Sequence, residues 1–236
     1  MTAFTAIVQT GAILASIIYF WKDIVEILTA LWAGIREPAR RAEHEWRFAV
    51  ALVIGCIPIG IVGLLFKDTI ETTLRNLWFV AGALIVWSGV MWFADRAGKL
   101  DRGEAEVTRK DTLIIGIVQC LALIPGVSRS GATISAGLLR NFDRLTVTRL
   151  SFFLAIPALT AASLLQIVTE HDEISNGLGW SGTIVASIAS FVVGYASIAW
   201  LLRYVAGHTF TIFIVYRVLL GGLMVILLAT GAVAAT

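Results

Sequence analysis

Long apolar stretches separated by short charged ones run the length of this 236-residue chain. A helix that crosses the hydrocarbon core of a bilayer needs about 20 mostly apolar residues. Six stretches meet that requirement: 4–21, 48–66, 77–94, 150–168, 183–202 and 211–230. A seventh, 113–139, is apolar but interrupted by Pro125, Gly126, Ser128, Arg129, Ser130 and Gly131. As one straight helix it would set an arginine and two serines beside a Pro-Gly pair at mid-bilayer. Irregular backbone at that depth survives only where protein or a water-filled cavity surrounds it. The pattern therefore predicts a re-entrant helix–loop–helix that enters and leaves on one side. The expected fold is an all-α integral membrane protein of six transmembrane helices plus one re-entrant helix–loop–helix, a single polytopic domain over 1–236. Its halves form an incomplete inverted repeat: 1–95 has three spans and no re-entrant pair, 111–236 has the pair and three spans.

Charge placement tests this count. With six crossings and one re-entrant pair, segments 22–47, 95–110, 140–149 and 203–210 share a face and carry fourteen lysines and arginines. The opposite face has Lys67 and Arg75, with the acidic run Glu170-His171-Asp172-Glu173. By the positive-inside rule the basic face is cytoplasmic. A single crossing at 113–139 would move 140–149 across and blur the bias. Met1 then lies outside, followed almost at once by a span, with no basic leader region.

Composition agrees: 58% of residues are hydrophobic, 14% are charged, and the mean hydropathy is +0.87, whereas a soluble domain carries about 25% charged residues. Such a chain has too little polar surface for water, and nothing in it points to nucleic acid. Segment 37–47 reads as a solvated connection, and Trp21, Trp46, Trp78 and Trp180 as interface anchors near span ends. Cys56 and Cys120 sit in apolar stretches and read as small buried hydrophobes. His44, His171 and His208 lie far apart, and no metal-ligand spacing occurs, so no metal site is expected.

Once interfacial charges are set aside, two ionisable residues remain within the apolar segments, Arg129 and Arg217. Intramembrane charges are costly and mark function. Arginines without an internal counter-ion suit an anion, because the guanidinium fork matches phosphate oxygens and keeps its proton. The loop chemistry points the same way. Pro125 fixes the entry, Gly126 and Gly131 allow close backbone approach, and Ser128, Ser130 and Thr133 bring hydroxyls to the start of a helix. A helix start presents unpaired N–H groups to an anion. The competing reading is packing: small residues and hydroxyls also mediate helix contacts in membranes, and Arg217, beside Tyr216, also reads as a snorkelling or ring-stacked residue. Gln119, on the arm before the loop, fits packing and the site equally well.

These residues resemble the undecaprenyl-diphosphatase, or bacitracin-resistance, family. The resemblance is carried chiefly by Gln119-Cys120-Leu121-Ala122-Leu123-Ile124-Pro125-Gly126-Val127-Ser128-Arg129-Ser130-Gly131-Ala132-Thr133. Supporting matches are Phe4, Gln9-Thr10-Gly11, Ile57-Pro58, Gly63-Leu64, Phe66-Lys67-Asp68, Phe152-Phe153-Leu154-Ala155-Ile156-Pro157 and Tyr216-Arg217. The resemblance implies hydrolysis of a C55 polyprenyl diphosphate to the monophosphate and inorganic phosphate, in lipid-carrier recycling for cell-wall synthesis. It implies a bacterial plasma-membrane location, a site opening toward the outer face, and a divalent cation, Mg or Ca. Catalytic roles fall to Ser128, Arg129, Ser130, Thr133 and Arg217, and substrate contacts to Gly126, Gly131 and Gln119. Partners are the polyprenyl diphosphate lipid and the bilayer; self-association into a homo-oligomer stays open.

One departure qualifies this. The family's N-terminal Glu-x-x-x-Glu element and Pro-x-Ser-Ser-x-Gly-His loop have no counterpart here. The expectation is that Met1 is an internal methionine, that a matching re-entrant pair precedes it, and that the chain as written is a poor or inactive enzyme without its cation ligands. The rival functions are a polyprenyl-phosphate translocator and a non-catalytic lipid-binding remnant.

Overall fold

In the computed structural model, residues 3–66, 76–169 and 179–235 are described. They form nine α-helices: α1 Ala3–Tyr19, α2 Trp21–Arg36, α3 His44–Leu65, α4 Leu77–Ala97, α5 Arg109–Gln119, α6 Arg129–Leu139, α7 Arg144–Thr169, α8 Gly179–Val205 and α9 Thr211–Ala229. Short 3-10 turns lie at Pro38–Ala42, Glu104–Glu106 and Cys120–Leu123. Among the described residues no strand occurs beyond one isolated bridge between Arg102 and Phe142.

Among the described residues, five helical segments are long and apolar enough to cross a membrane: His44–Leu65, Leu77–Ala97, Arg144–Leu164, Ile184–Val205 and Thr211–Ala229. The expected first span differs. The helix breaks at Phe20, so α1 has 17 residues, about 26 Å of rise. The cause is packing. Phe20 is buried against Phe152 and Phe153, at ring distances of 5.3 and 5.2 Å, and its conformation (φ −97°, ψ 20°) turns the chain into α2.

The connection expected over 22–47 thus contains an amphipathic helix. Ile24, Ile27, Leu28 and Leu31 fall on one helical stripe and line an apolar cavity closed by Leu52, Cys56, Phe153 and Pro157 from α3 and α7. Arg36 caps the far end, stacked over Trp32 at 4.4 Å.

Close packing comes from small residues, as expected where lipid removes any hydrophobic drive for helices to associate. Along α3 and α5, Ala51 and Gly55 face Thr112 and Gly116. A Cβ on Gly116 would stand 2.1 Å from the Gly55 carbonyl oxygen, and the Thr112 hydroxyl donates to the Ala51 carbonyl at 2.6 Å. α1 lies along α8 and α7, α4 along α9, and α6 between α4 and α7.

Residues 109–139 form two short helices joined by a turn. α5 and α6 pack on each other, and their outer ends meet: Arg140, just after α6, pairs with Asp111 in the first turn of α5 at 2.7 Å. Asp111 is fully buried and also takes Arg102 at 2.8 Å and the Thr108 hydroxyl at 2.6 Å. Burial alone would push its pKa up. Hydrogen bonds from Arg102, Thr108 and Arg140 outweigh that and hold it well below the usual carboxylate range.

The same end of the bundle gathers the other basic connections. Arg144 pairs with Asp95 at 2.7 Å, Asp95 also accepts the Phe210 backbone N–H at 3.1 Å, and Arg149 pairs with both Asp23 and Glu104 at 2.7 Å. These contacts bring parts of segments 22–47, 95–110, 140–149 and 203–210 together. The counterweights on the expected opposite face, Lys67, Arg75 and Glu170-His171-Asp172-Glu173, lie outside the described residues.

Candidate active site at the tip of the hairpin

Between α5 and α6 the chain makes a tight turn. The Val127 backbone N–H donates to the Ile124 carbonyl at 3.2 Å, and Gly126 takes φ +98°. A side chain at Gly126 is barred twice over, by that φ and by the Val80 carbonyl oxygen, which a Cβ would meet at 2.4 Å. Ser128 follows with φ +72°, a region L-residues rarely occupy, at a cost of about 1–3 kcal/mol. It is the N-cap of α6: the Gly131 backbone N–H donates to Ser128 Oγ at 3.2 Å, and Ser130 Oγ lies 3.2 Å from it.

Arg217, on α9, holds this turn. Its Nη2 donates to the Gly126 carbonyl at 2.7 Å and the Val127 carbonyl at 3.0 Å, while Nε reaches Ser88 Oγ at 3.4 Å. Part of the guanidinium is thus committed to the loop, a role the sequence did not suggest, since 90 residues separate the partners. Arg129 is the opposite case. It is half-buried at the first position of α6, and its side chain makes no hydrogen bond or ion pair among the described residues.

A cavity of about 470 Å³ opens at this point. Ser128, Arg129, Ser130 and Gly131 form one wall with Arg217; Thr148, Ser151, Phe152 and Ala155 of α7 form another; Leu201, Phe210, Phe213 and Tyr216 make an apolar side. Five of the eight residues expected at the site therefore line one cavity. A Cβ at Gly131 would come within 3.2 Å of Met91 Sδ, so the wall is built to backbone dimensions there. Gly126 contributes through its carbonyl, which positions Arg217. Thr133 does not reach the cavity: its buried hydroxyl donates back to the Arg129 and Ser130 carbonyls at 3.1 and 3.2 Å. Gln119 is fully buried outside it, with neither amide atom hydrogen-bonded. Thr148 and Ser151 had no sequence signal beyond their place beside the Phe152–Pro157 motif.

The arrangement is suited to a phosphorylated lipid headgroup. An unpaired guanidinium, two hydroxyls and the start of α6 face one end of the space, and aromatic and aliphatic side chains face the other. No carboxylate lines it, and among the described residues no group of three His, Cys, Asp or Glu gathers to hold a metal ion. Hydroxyls and guanidinium groups do not fit a divalent cation.

Comparison with known proteins decides the family. The model of the bacitracin resistance protein BacA family matches residues 1–223. This chain belongs to the BacA family. Among BacA relatives, "Undecaprenyl-diphosphatase 3" of Frankia casuarinae is 58% identical over 236 residues, covering all of this chain and 85% of the relative. "Undecaprenyl-diphosphatase" of Cutibacterium acnes is 50% identical over 242 residues with the same coverage. "Undecaprenyl-diphosphatase 1" of Streptomyces coelicolor is 50% identical over 229 residues, 97% of this chain and 81% of the relative. The BacA match extends over both the hairpin and the helices that wall the cavity.

Proposed function

We propose that this protein hydrolyses a polyprenyl diphosphate, undecaprenyl diphosphate in the reading its relatives' names support, to the monophosphate and inorganic phosphate. The observation that carries this reading is Arg129, a half-buried cation without an acidic partner among the described residues, at a helix start between two serine hydroxyls. A phosphoryl group there meets charge, hydrogen-bond donors and the positive end of α6 together. Arg129 neutralises the oxygens on which charge builds as water adds and the bond between the bridging oxygen and the terminal phosphorus breaks. Ser128 and Ser130 orient the headgroup, and Arg217 holds the turn that carries them.

The membrane placement goes with this reading. α1 completes six spans, the α5–α6 hairpin enters and leaves the bilayer on the basic face, that face is cytoplasmic, and the cavity opens toward the other side. The continuous small-residue packing of α1 against α8, with a Cβ on Gly11 reaching within 2.3 Å of the Ser187 carbonyl oxygen, supports α1 as part of the bundle.

The test is phosphate release from undecaprenyl diphosphate by purified protein in detergent, comparing this chain with one extended to the full length of its relatives. Release by the extended chain supports the reading. Binding without release by both would favour the translocator.

A further inference from the structure

Of the two hydroxyls that α7 sends into the cavity wall, one is already used. Thr148 Oγ1 donates to the Arg144 carbonyl at 2.7 Å, one turn back on its own helix. Ser151 is different. It is 5% exposed and lines the cavity, yet its hydroxyl makes no hydrogen bond among the described residues. Among the described residues the enclosed groups without a partner, Trp87 Nε1, Gln119, Ser135 and Thr160, are sealed off; Ser151 Oγ is not one of them and keeps its access to the cavity. Buried hydroxyls almost always have a partner, and one that faces a cavity instead of its own helix is free to meet whatever fills it. It stands on α7, across from the wall formed by Ser128, Arg129 and Ser130.

Resting on the function proposed above, we propose that Ser151 is a headgroup-binding residue, its hydroxyl donating to a phosphoryl oxygen of the diphosphate that Arg129 neutralises. The diphosphate is then gripped from two elements, α6 and α7, which pack side by side. A hydrogen bond to a charged group of this kind is worth about 10- to 100-fold in affinity.

The experiment measures binding of a non-hydrolysable prenyl methylenediphosphonate to the purified chain in detergent, with thermal unfolding of the unliganded protein as the second readout. Ser151→Ala should weaken binding about 10-fold or more and leave unliganded stability unchanged, because the hydroxyl has no internal partner to lose. Ser151→Cys, a weaker donor of similar size, should fall between. Binding by Ser151→Ala within twofold of the parent would overturn the inference alone. So would a loss of unliganded stability large enough to account for the weaker binding, since that marks a structural hydroxyl. Failure of the parent chain itself to bind the probe would overturn the diphosphatase reading and this inference with it.

Discussion

The arginines at the two ends of the α5–α6 hairpin live in opposite circumstances. At the outer end Arg102 and Arg140 close on the buried Asp111, and nearby Arg144 and Arg149 each have a carboxylate at 2.7 Å. At the tip Arg129 has none among the described residues, and Arg217 is held by backbone carbonyls there instead of acids. A partly buried cation with its counter-ion built in is architecture. The same cation left without one retains attraction for an anion brought from outside. That difference, more than any count of charges, separates the part of this molecule that holds shape from the part proposed to bind.

Removing the free charge is the strongest way to break the comparison. Arg129→Ala in the extended protein should lower phosphate release by about 10²–10³ while thermal unfolding stays within a degree or two; activity within a few-fold of the parent would return Arg129 to the structural class. Next in size is Asp111→Ala, which strands Arg102 and Arg140 together. Breaking such a pair costs about 3–5 kcal/mol when fully buried. Here the partly solvated arginines bring that down to about 3 kcal/mol, read as a lower unfolding midpoint in detergent. The same carboxylate sets a pH dependence. Its pKa is held below the unfolded value of about 4, so its contribution is complete above that pH and fades as pH falls toward the folded value. The parent should lose stability on acidification below about pH 4, and Asp111→Ala should lack that component.

Arg217→Ala sharpens the comparison at smaller scale. It leaves the Gly126 and Val127 carbonyls without their donor, a cost of about 1–3 kcal/mol, and releases the strained turn at Ser128. Substrate binding should suffer through the loop, so Arg217→Lys, which keeps the charge but lacks the second nitrogen that reaches Ser88 and the longer planar head that sets Nη2 against both carbonyls, should restore little. Equal recovery by lysine would make Arg217 a plain charge like Arg129. Smallest is Ser88→Ala. Its 3.4 Å contact with Arg217 is long, and the change should cost about 0.5 kcal/mol in unfolding experiments.

Much of this is legible in the amino-acid sequence. The apolar run lengths fixed the helical class, and the Pro125–Gly131 interruption located the turn. The lack of a local acid for Arg129 singled it out, and the family resemblance read from the same motif agrees with the BacA match. The stripe at Ile24, Ile27, Leu28 and Leu31 was also there to be read; charged neighbours masked a helix whose period was plain. The break at Phe20 was not, because it depends on rings supplied by α7, more than 130 positions away.

What the sequence by itself determined is therefore local: which segments prefer lipid, where the backbone must turn, and which charges stand far from others along the chain. Only the tertiary structure decided how those charges are satisfied. It gave Asp111 its two arginines, turned Thr133 back onto its helix, spent one Arg217 nitrogen on the loop carbonyls, and left Arg129 and Ser151 open to the cavity. The reason is that hydropathy and periodicity are properties of neighbours in sequence, whereas pairing and desolvation depend on groups brought together across tens of residues, and those pairings are absent until the helices pack.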